Sequence, residues 1–398
     1  MNAPLAIIET FEPSAHELAG GMLLHVYDNL SIVETRWRAL QQHGFASVYQ
    51  GFDWCAAWLS RVGITRGIRP CIVMGENALG QILFVLPLQI RKRRGFTIIE
   101  ALSAPQGAYA GLVLNRDFAQ KNAAHWFRQY FEHVIDALPR HDVFQLENVA
   151  KIIHNIENPL LQARSFRAAN QSHIMGLQLD YNALLQAKRS SETRRNLRKR
   201  DQKLEASGKL EFDLPLQPAD RDTTLQVMFE HQQQRLQEFG VFNVYDDLEQ
   251  RFIKDLANIN TPEGPLLRPY RLSLDGQILA VMLGAYYNNT YWALVSSLAP
   301  GDLRKLSPGD YALRAMIAEL CRNGTTQIDF SAGDTAYKFH WSDAQVPLHL
   351  IIRCNSFKGL PLALVLLARE KLKRFAKSTP VLNSALFSLR RRVKGRST

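Results

Sequence analysis

Three stretches place chemically useful residue types at short spacing. The first is TQIDFSAG, a short strand that carries Asp329 to Gly333, followed at once by Asp334 and then by Tyr337-Lys338. Carboxylates so placed suit proton transfer, and a phenol and an amine beside them suit weak-acid chemistry and the holding of negative charge. The second is the loop from Leu298 to Pro308, which carries Arg304 and Lys305 and closes with Ser307-Pro308-Gly309 before a helix. Such a loop presents helix N-terminal amides, from Gly309 onward, to an anion. The third is the basic run holding Arg194, Arg195, Arg198, Lys199 and Arg200. At 3.6 residues per turn these cannot share one face, but Arg194 and Arg198 lie one turn apart, and planar guanidinium forks fit a phosphate or carboxylate.

The elements that must position these residues follow from pattern. Asp275-Gly276 and Asn288-Asn289 read as turns around ILAVMLGAYY and TYWALVSS, a hairpin. Tyr311 to Cys321 reads as a helix with Leu313, Ile317 and Leu320 on one face, ended by Asn323-Gly324. One long helix is expected from Tyr181 through the basic run, seamed by Leu197 and Leu204. Earlier in the chain, Ser31 with Glu34 forms a capping-box pattern, Trp54 and Trp58 a packing ridge, and PCIVM, ILFVLPLQI and FTIIEALS a meander. A strand is expected around Leu5 to Ile8 and one amphipathic helix over Ala119 to Leu138. PLHLIIRC reads as the last strand, and LPLALVLLAREKLKRFAKS as an amphipathic helix that packs through Leu362 to Leu367.

The chain of 398 residues carries 48 Lys and Arg against 37 Asp and Glu, a formal charge of +11, which points to anionic partners. The excess is clustered at Arg91 to Arg94, at Lys188 to Lys203, and in the tail from Lys358 to Arg396. The cysteines, Cys55, Cys71, Cys321 and Cys354, and the histidines lack metal-ligand spacing, so no metal is expected. No serine sits in a Gly-x-Ser-x-Gly setting, which argues against a covalent acyl-enzyme. No apolar run reaches membrane-spanning length and no secretory leader is read at the start, so a cytoplasmic place is expected, extending to the periphery of the membrane's inner face.

SVYQGFDWCAAWL, SSETRRNLRKRDQKLEASGKLEF and KLSPGDYALRAMIAELCRNGTTQIDFSAGDTAYKFHW together resemble an acetyltransferase-like family of the GNAT superfamily. That family is associated with cellulose and exopolysaccharide biosynthesis and is related in fold to Fem-type aminoacyl transferases. The resemblance implies an α/β fold of tandem GNAT-like domains with mixed central sheets flanked by helices. On this chain it implies domains at 1–170 and 171–356, with a basic amphipathic extension at 357–398. It further implies an acyltransferase that uses acetyl-CoA or another acyl-CoA for N- or O-transfer to a small-molecule or saccharide acceptor, with an envelope or exopolysaccharide precursor as the acceptor class.

By the same resemblance the loop-to-helix element is where the donor pyrophosphate is cradled, by amides of Gly309, Asp310 and Tyr311 with Arg304 or Lys305 adding charge. The sequence departs there from the familiar Gln/Arg-x-x-Gly-x-Gly/Ala pattern, and Asp310 puts an acid beside the expected phosphates. Gly333-Asp334…Tyr337-Lys338 looks like the family's glycine followed by tyrosine-lysine. There Lys338 holds an acceptor anion or oxyanion and Tyr337 protonates the leaving thiolate. Asp329 and Asp334 are the candidate bases, with Glu230 and His231 more remote, and Arg194, Arg195 and Arg198 are the candidate substrate contacts. Two alternatives remain open at this level. One is aminoacyl transfer from tRNA; the other is a non-catalytic envelope-polymer assembly protein whose C-terminal tail meets a partner protein or an anionic membrane surface.

Overall fold

Apolar alternation becomes antiparallel sheet in both halves of the chain. The computed structural model describes residues 14–18, 21–237 and 245–378. They form two units, one of residues through Ser172 joined by those from Val346, the other His173–Gln345. The expected strand near Leu5 and the basic end at Phe387 to Arg392 lie outside the described residues.

In the first unit, strands Met22–Tyr27, Arg69–Glu76, Ile82–Arg93 and Phe96–Ala101 pair antiparallel in sequence order, as the meander predicts. Phe96–Ala101 then runs parallel to Val143–Ala150, and Ala344–Cys354 pairs antiparallel with that strand from Leu348 onward. PLHLIIRC, expected within 171–356, therefore completes the first unit's sheet. Helix Leu360–Ser378 follows, with Ala363, Leu362, Leu366 and Leu367 packed on Val143, Leu350 and Ile352. The core centres on Phe84, Trp126, Phe127, Phe131 and Phe144.

Local capping revises three expected boundaries. Asn29, not Ser31, caps helix Leu30–His43, its Oδ1 accepting the Ser31 N–H at 2.9 Å. The expected helix over Ala119 to Leu138 is broken at Asn122 into Arg116–Lys121 and Ala123–Asp136. Asn115 caps the first piece by accepting the Phe118 N–H. The helix expected from Tyr181 is likewise two, Tyr181–Lys188 and Ser191–Glu205, because Asp180 and Ser190 each accept amides at a new N-terminus. Trp54 and Trp58 are buried, and their indole N–H groups reach Ser103 Oγ and Gln106 Oε1.

In the second unit the sheet runs Gln327–Ala332, Thr290–Leu298, Gln277–Tyr287, Leu267–Leu274, Leu210–Asp213. Both read turns form: Asp275 and Gly276, and Asn288 and Asn289, take positive φ between paired strand ends. Helix Pro308–Arg322 covers the sheet through Leu313, Met316, Ile317 and Leu320.

Gly284 is the tightest point of this sheet. A Cβ there would lie 2.3 Å from Tyr291 Cζ, and the Tyr291 ring cannot yield because it is fully buried with its hydroxyl donating to the Met282 carbonyl at 3.0 Å. Gly284→Val is expected to cost about 3 kcal/mol by overpacking. Urea unfolding reads this as a lower midpoint with an unchanged slope, and a midpoint equal to that of the native chain would refute the close approach.

Candidate functional site

The second unit's parallel strand pair opens after a short contact. Thr290, Tyr291 and Trp292 pair with Gln327, Ile328 and Asp329, and beyond that register the pairing ends although the strands continue to Leu298 and Ala332. On the other edge of Thr290–Leu298 the register jumps so that Gly284 faces Ala293 and Leu283 faces Val295. Leu294 is thus the extra residue of a bulge, which bends the strand away from its parallel neighbour. A cavity of about 600 Å³ fills the opening, lined in part by Ala293, Leu294, Val295, Met316, Phe330 and Ala332.

One end of the cavity is the N-terminus of helix Pro308–Arg322. Ser307 precedes it in the left-handed region at φ 57, and its side chain makes no capping bond to the helix. The Asp310 and Tyr311 amides donate to the Ser307 carbonyl at 3.0 and 3.2 Å, so they close the first turn. Of the three amides expected to face an anion, Gly309 is the one outside that turn's bonding, and it lines the cavity with Ser307 and Pro308. Asp310 also lines the cavity, but its carboxylate accepts from Arg314 Nε at 3.1 Å. Arg314 in turn pairs with Asp201, so the acid that looked misplaced beside a phosphate is bonded to a guanidinium. The Tyr311 hydroxyl points to Glu205. Arg304 lines the cavity with its Nε donating to the Ala299 carbonyl, whereas Lys305 is exposed and pairs with Asp302.

At the other end the strand turns sharply. Asp329 Oδ1 accepts the Ser331 N–H at 2.7 Å, and Ser331 sits at φ 60 with its hydroxyl donating to the Ala293 carbonyl. That bend aims the Ser331 and Ala332 carbonyls at Lys338 Nζ, which donates to them at 3.2 and 3.1 Å. Lys338 is buried and lines the cavity. Burial lowers its pKa to about 8, while Asp329 and Asp334 pull the other way. Tyr337 lines the same space with its ring edge-on to Phe330. The residue as a whole is 37% exposed, but desolvation around its hydroxyl raises the pKa and a hydrogen bond with Thr335 lowers it, the net effect being upward.

Tyr337, Lys338, Arg304, Gly309 and Asp310 therefore converge on one space. Asp329 acts on its shape through the Ser331 bend. Asp334 is not among the lining residues, and its Oδ1 lies 3.0 Å from Nε2 of the fully buried His173 side chain, whose Nδ1 faces Ser342 Oγ at 3.4 Å. Arg194 donates to the Gln186 and Arg189 carbonyls, and Arg195 and Arg198 are exposed; none of the three lines the cavity. Glu230 and His231 do not line it either, though Arg235 on the same helix, Pro218–Gln237, does. Sequence reading passed over Arg235 and His173, and it did not single out Arg200, whose guanidinium reaches Ser307 Oγ at 3.4 Å. Arg200 was legible only as one more base of a run, and the other two are isolated in sequence.

Residues 191–339 match the family model described as Acetyltransferase (GNAT) domain. Over that stretch the α/β fold is GNAT-like. The crystal structure of FemX is similar at 11% identity and a TM-score of 0.52, over 79% of this chain and 95% of that one. The C-terminal domain of an Agrobacterium fabrum protein assigned as lysylphosphatidylglycerol synthetase is similar at 12% identity and a TM-score of 0.50, over 84% of this chain and 95% of that one. No curated protein matches the sequence. Among the described residues no group of His, Cys, Asp and Glu is arranged to hold a metal, and no helix is long and apolar enough to cross a membrane.

Proposed function

We propose that the GNAT unit transfers an acyl group from an acyl-CoA, acetyl-CoA being the simplest such donor, to an amine or hydroxyl. The observation that carries this reading is the cavity between the diverging strands, with a helix N-terminus at one end and a buried lysine at the other. A slender thioester arm suits that shape, and its phosphates suit the amide of Gly309 together with Arg304 and Arg200. The acceptor nitrogen or oxygen attacks the thioester carbonyl carbon and the C–S bond breaks. An ammonium has three N–H groups; two of those on Lys338 meet the Ser331 and Ala332 carbonyls, and the third is assigned to the developing oxyanion. Tyr337 gives its proton to the departing thiolate, and Asp334, held by His173 outside the lining residues, takes the acceptor's proton by way of one water. The acceptor class, an amine or hydroxyl of an envelope or exopolysaccharide precursor, rests on the family resemblance.

Thermal melting with CoA thioesters tests the donor first, since ligand at about 100 times its Kd adds roughly 2.7 kcal/mol to native-state stability. Labelled acyl transfer to candidate amines and sugars then tests chemistry. Absence of any melting shift and of transfer, across acetyl to long-chain donors, would sink the proposal. Turnover with charged tRNA and none with CoA thioesters would replace it with the aminoacyl reading.

A further inference from the structure

Helix Leu360–Ser378 has two apolar faces, and the first unit covers one of them. Ala363 is 5% exposed and packs with Leu362, Leu366 and Leu367 on the sheet. Leu360, Leu364, Val365, Leu372 and Phe375 are instead 49% to 66% exposed. With about 3.6 residues per turn these five fall in one sector roughly 140° wide, on the far side from Ala363. Phe357, fully exposed, extends the stripe just before the helix. Large apolar side chains in one contiguous exposed stripe mark a surface that something covers.

The charges around the stripe identify the occupant. By the same spacing Arg369 and Arg374 fall on either side of the sector and Lys371 falls within it, while Lys358, just before the helix, donates to the Gly95 carbonyl and faces Asp142. The helix has one acid, Glu370, and that carboxylate is occupied by the Ala169 N–H at 2.6 Å and by Lys373. The sequence beyond the helix adds Arg390, Arg391, Arg392, Lys394 and Arg396 with no acid after Glu370. A second copy of the chain would set this basic rim against itself in a two-fold contact. An anionic lipid surface matches both the stripe and the rim, and the helix, too polar to span, would lie in the plane of the interface.

We propose that helix Leu360–Ser378 docks the protein on an anionic membrane surface, with Leu360, Leu364, Val365 and Leu372 entering the headgroup boundary. This is independent of the acyl-transfer reading, and neither fails with the other.

Flotation of the full chain with phosphatidylcholine vesicles, with and without phosphatidylglycerol, tests it. The native chain is expected to float with the anionic vesicles, to stay behind with the neutral ones, and to be released as salt rises. Leu364→Gln with Leu372→Gln, both at exposed positions, is expected to lower binding about tenfold with an unchanged melting temperature. As a second measurement, the emission of Leu372→Trp, less that of the native chain, shifts to the blue when anionic vesicles are added. No flotation, equal flotation with neutral vesicles, or an unshifted tryptophan overturns the proposal. So does self-association in place of lipid binding, and so does binding lost on deleting residues 379–398 but kept in the Leu364/Leu372 variant.

Discussion

Lys338→Met is expected to lower kcat by about 10²- to 10³-fold, the usual loss when one oxyanion donor is removed, while KM for the donor changes little. The same substitution leaves the fold nearly as stable, because two opposed effects meet at this side chain. Removing the ammonium ends hydrogen bonds to the Ser331 and Ala332 carbonyls, each charge-assisted bond being worth roughly 1.5–3 kcal/mol. It also ends the cost of burying a charge. With the pKa lowered to about 8 from 10.5, that cost is roughly 3 kcal/mol. The carbonyls left behind face a cavity that water can enter, which moderates their loss. Activity and melting temperature should therefore part company, as they would not for a residue that merely packs.

The sign of the pH dependence follows from the same shift. Below pH 8 both the folded and the unfolded chain carry the Lys338 proton, and the folded state bears the burial cost in full. Between pH 8 and 10.5 the unfolded chain binds the extra proton, so the native chain gains stability relative to Lys338→Met as pH rises through that window. Catalysis runs the other way. An oxyanion holder must be charged, so kcat/KM of the native chain should fall above about pH 8. A profile that climbs through pH 8 would make Lys338 a base and remove it from the role assigned here.

Local chemistry explains what could be read from the sequence and what could not. Asp275-Gly276 and Asn288-Asn289 were legible because two adjacent residues that tolerate positive φ suffice for a tight hairpin turn. Tyr337-Lys338 was legible as a short motif, and Leu362 to Leu367 as a packed helix face, although Leu364 and Val365 within it turn outward. Capping was misjudged where two side chains competed, as with Asn29 over Ser31, and where a serine inside a basic run ended one helix and began another. The cavity was out of reach because it depends on where a parallel strand pair stops pairing and on a bulge at Leu294, both set by segments distant in sequence. His173 and Asp334 meet across 161 positions, and no local pattern announces a pair of that kind.

Ser307→Asp gives the second large effect, again by separating binding from stability. The helix N-terminus carries a partial positive charge, so an acid there favours folding by about 0.3–1 kcal/mol. Ser307 already occupies the left-handed region, which aspartate tolerates, and its hydroxyl faces the Arg200 guanidinium, which would gain an ion pair. The melting temperature should hold or rise. If the donor's phosphates sit at this end of the cavity, the new carboxylate meets them with like charge. At a separation of about 5 Å and an effective dielectric of about 20 the repulsion is roughly 3 kcal/mol, or about a 10²-fold weaker Kd for CoA by calorimetry. Ser307→Ala, which removes the hydroxyl without adding charge, should bind CoA nearly as the native chain does. If Ser307→Asp binds CoA as tightly as Ser307→Ala, the phosphates lie elsewhere. The helix N-terminus would then be an ordinary first turn, with the Asp310 and Tyr311 amides already bonded to the Ser307 carbonyl.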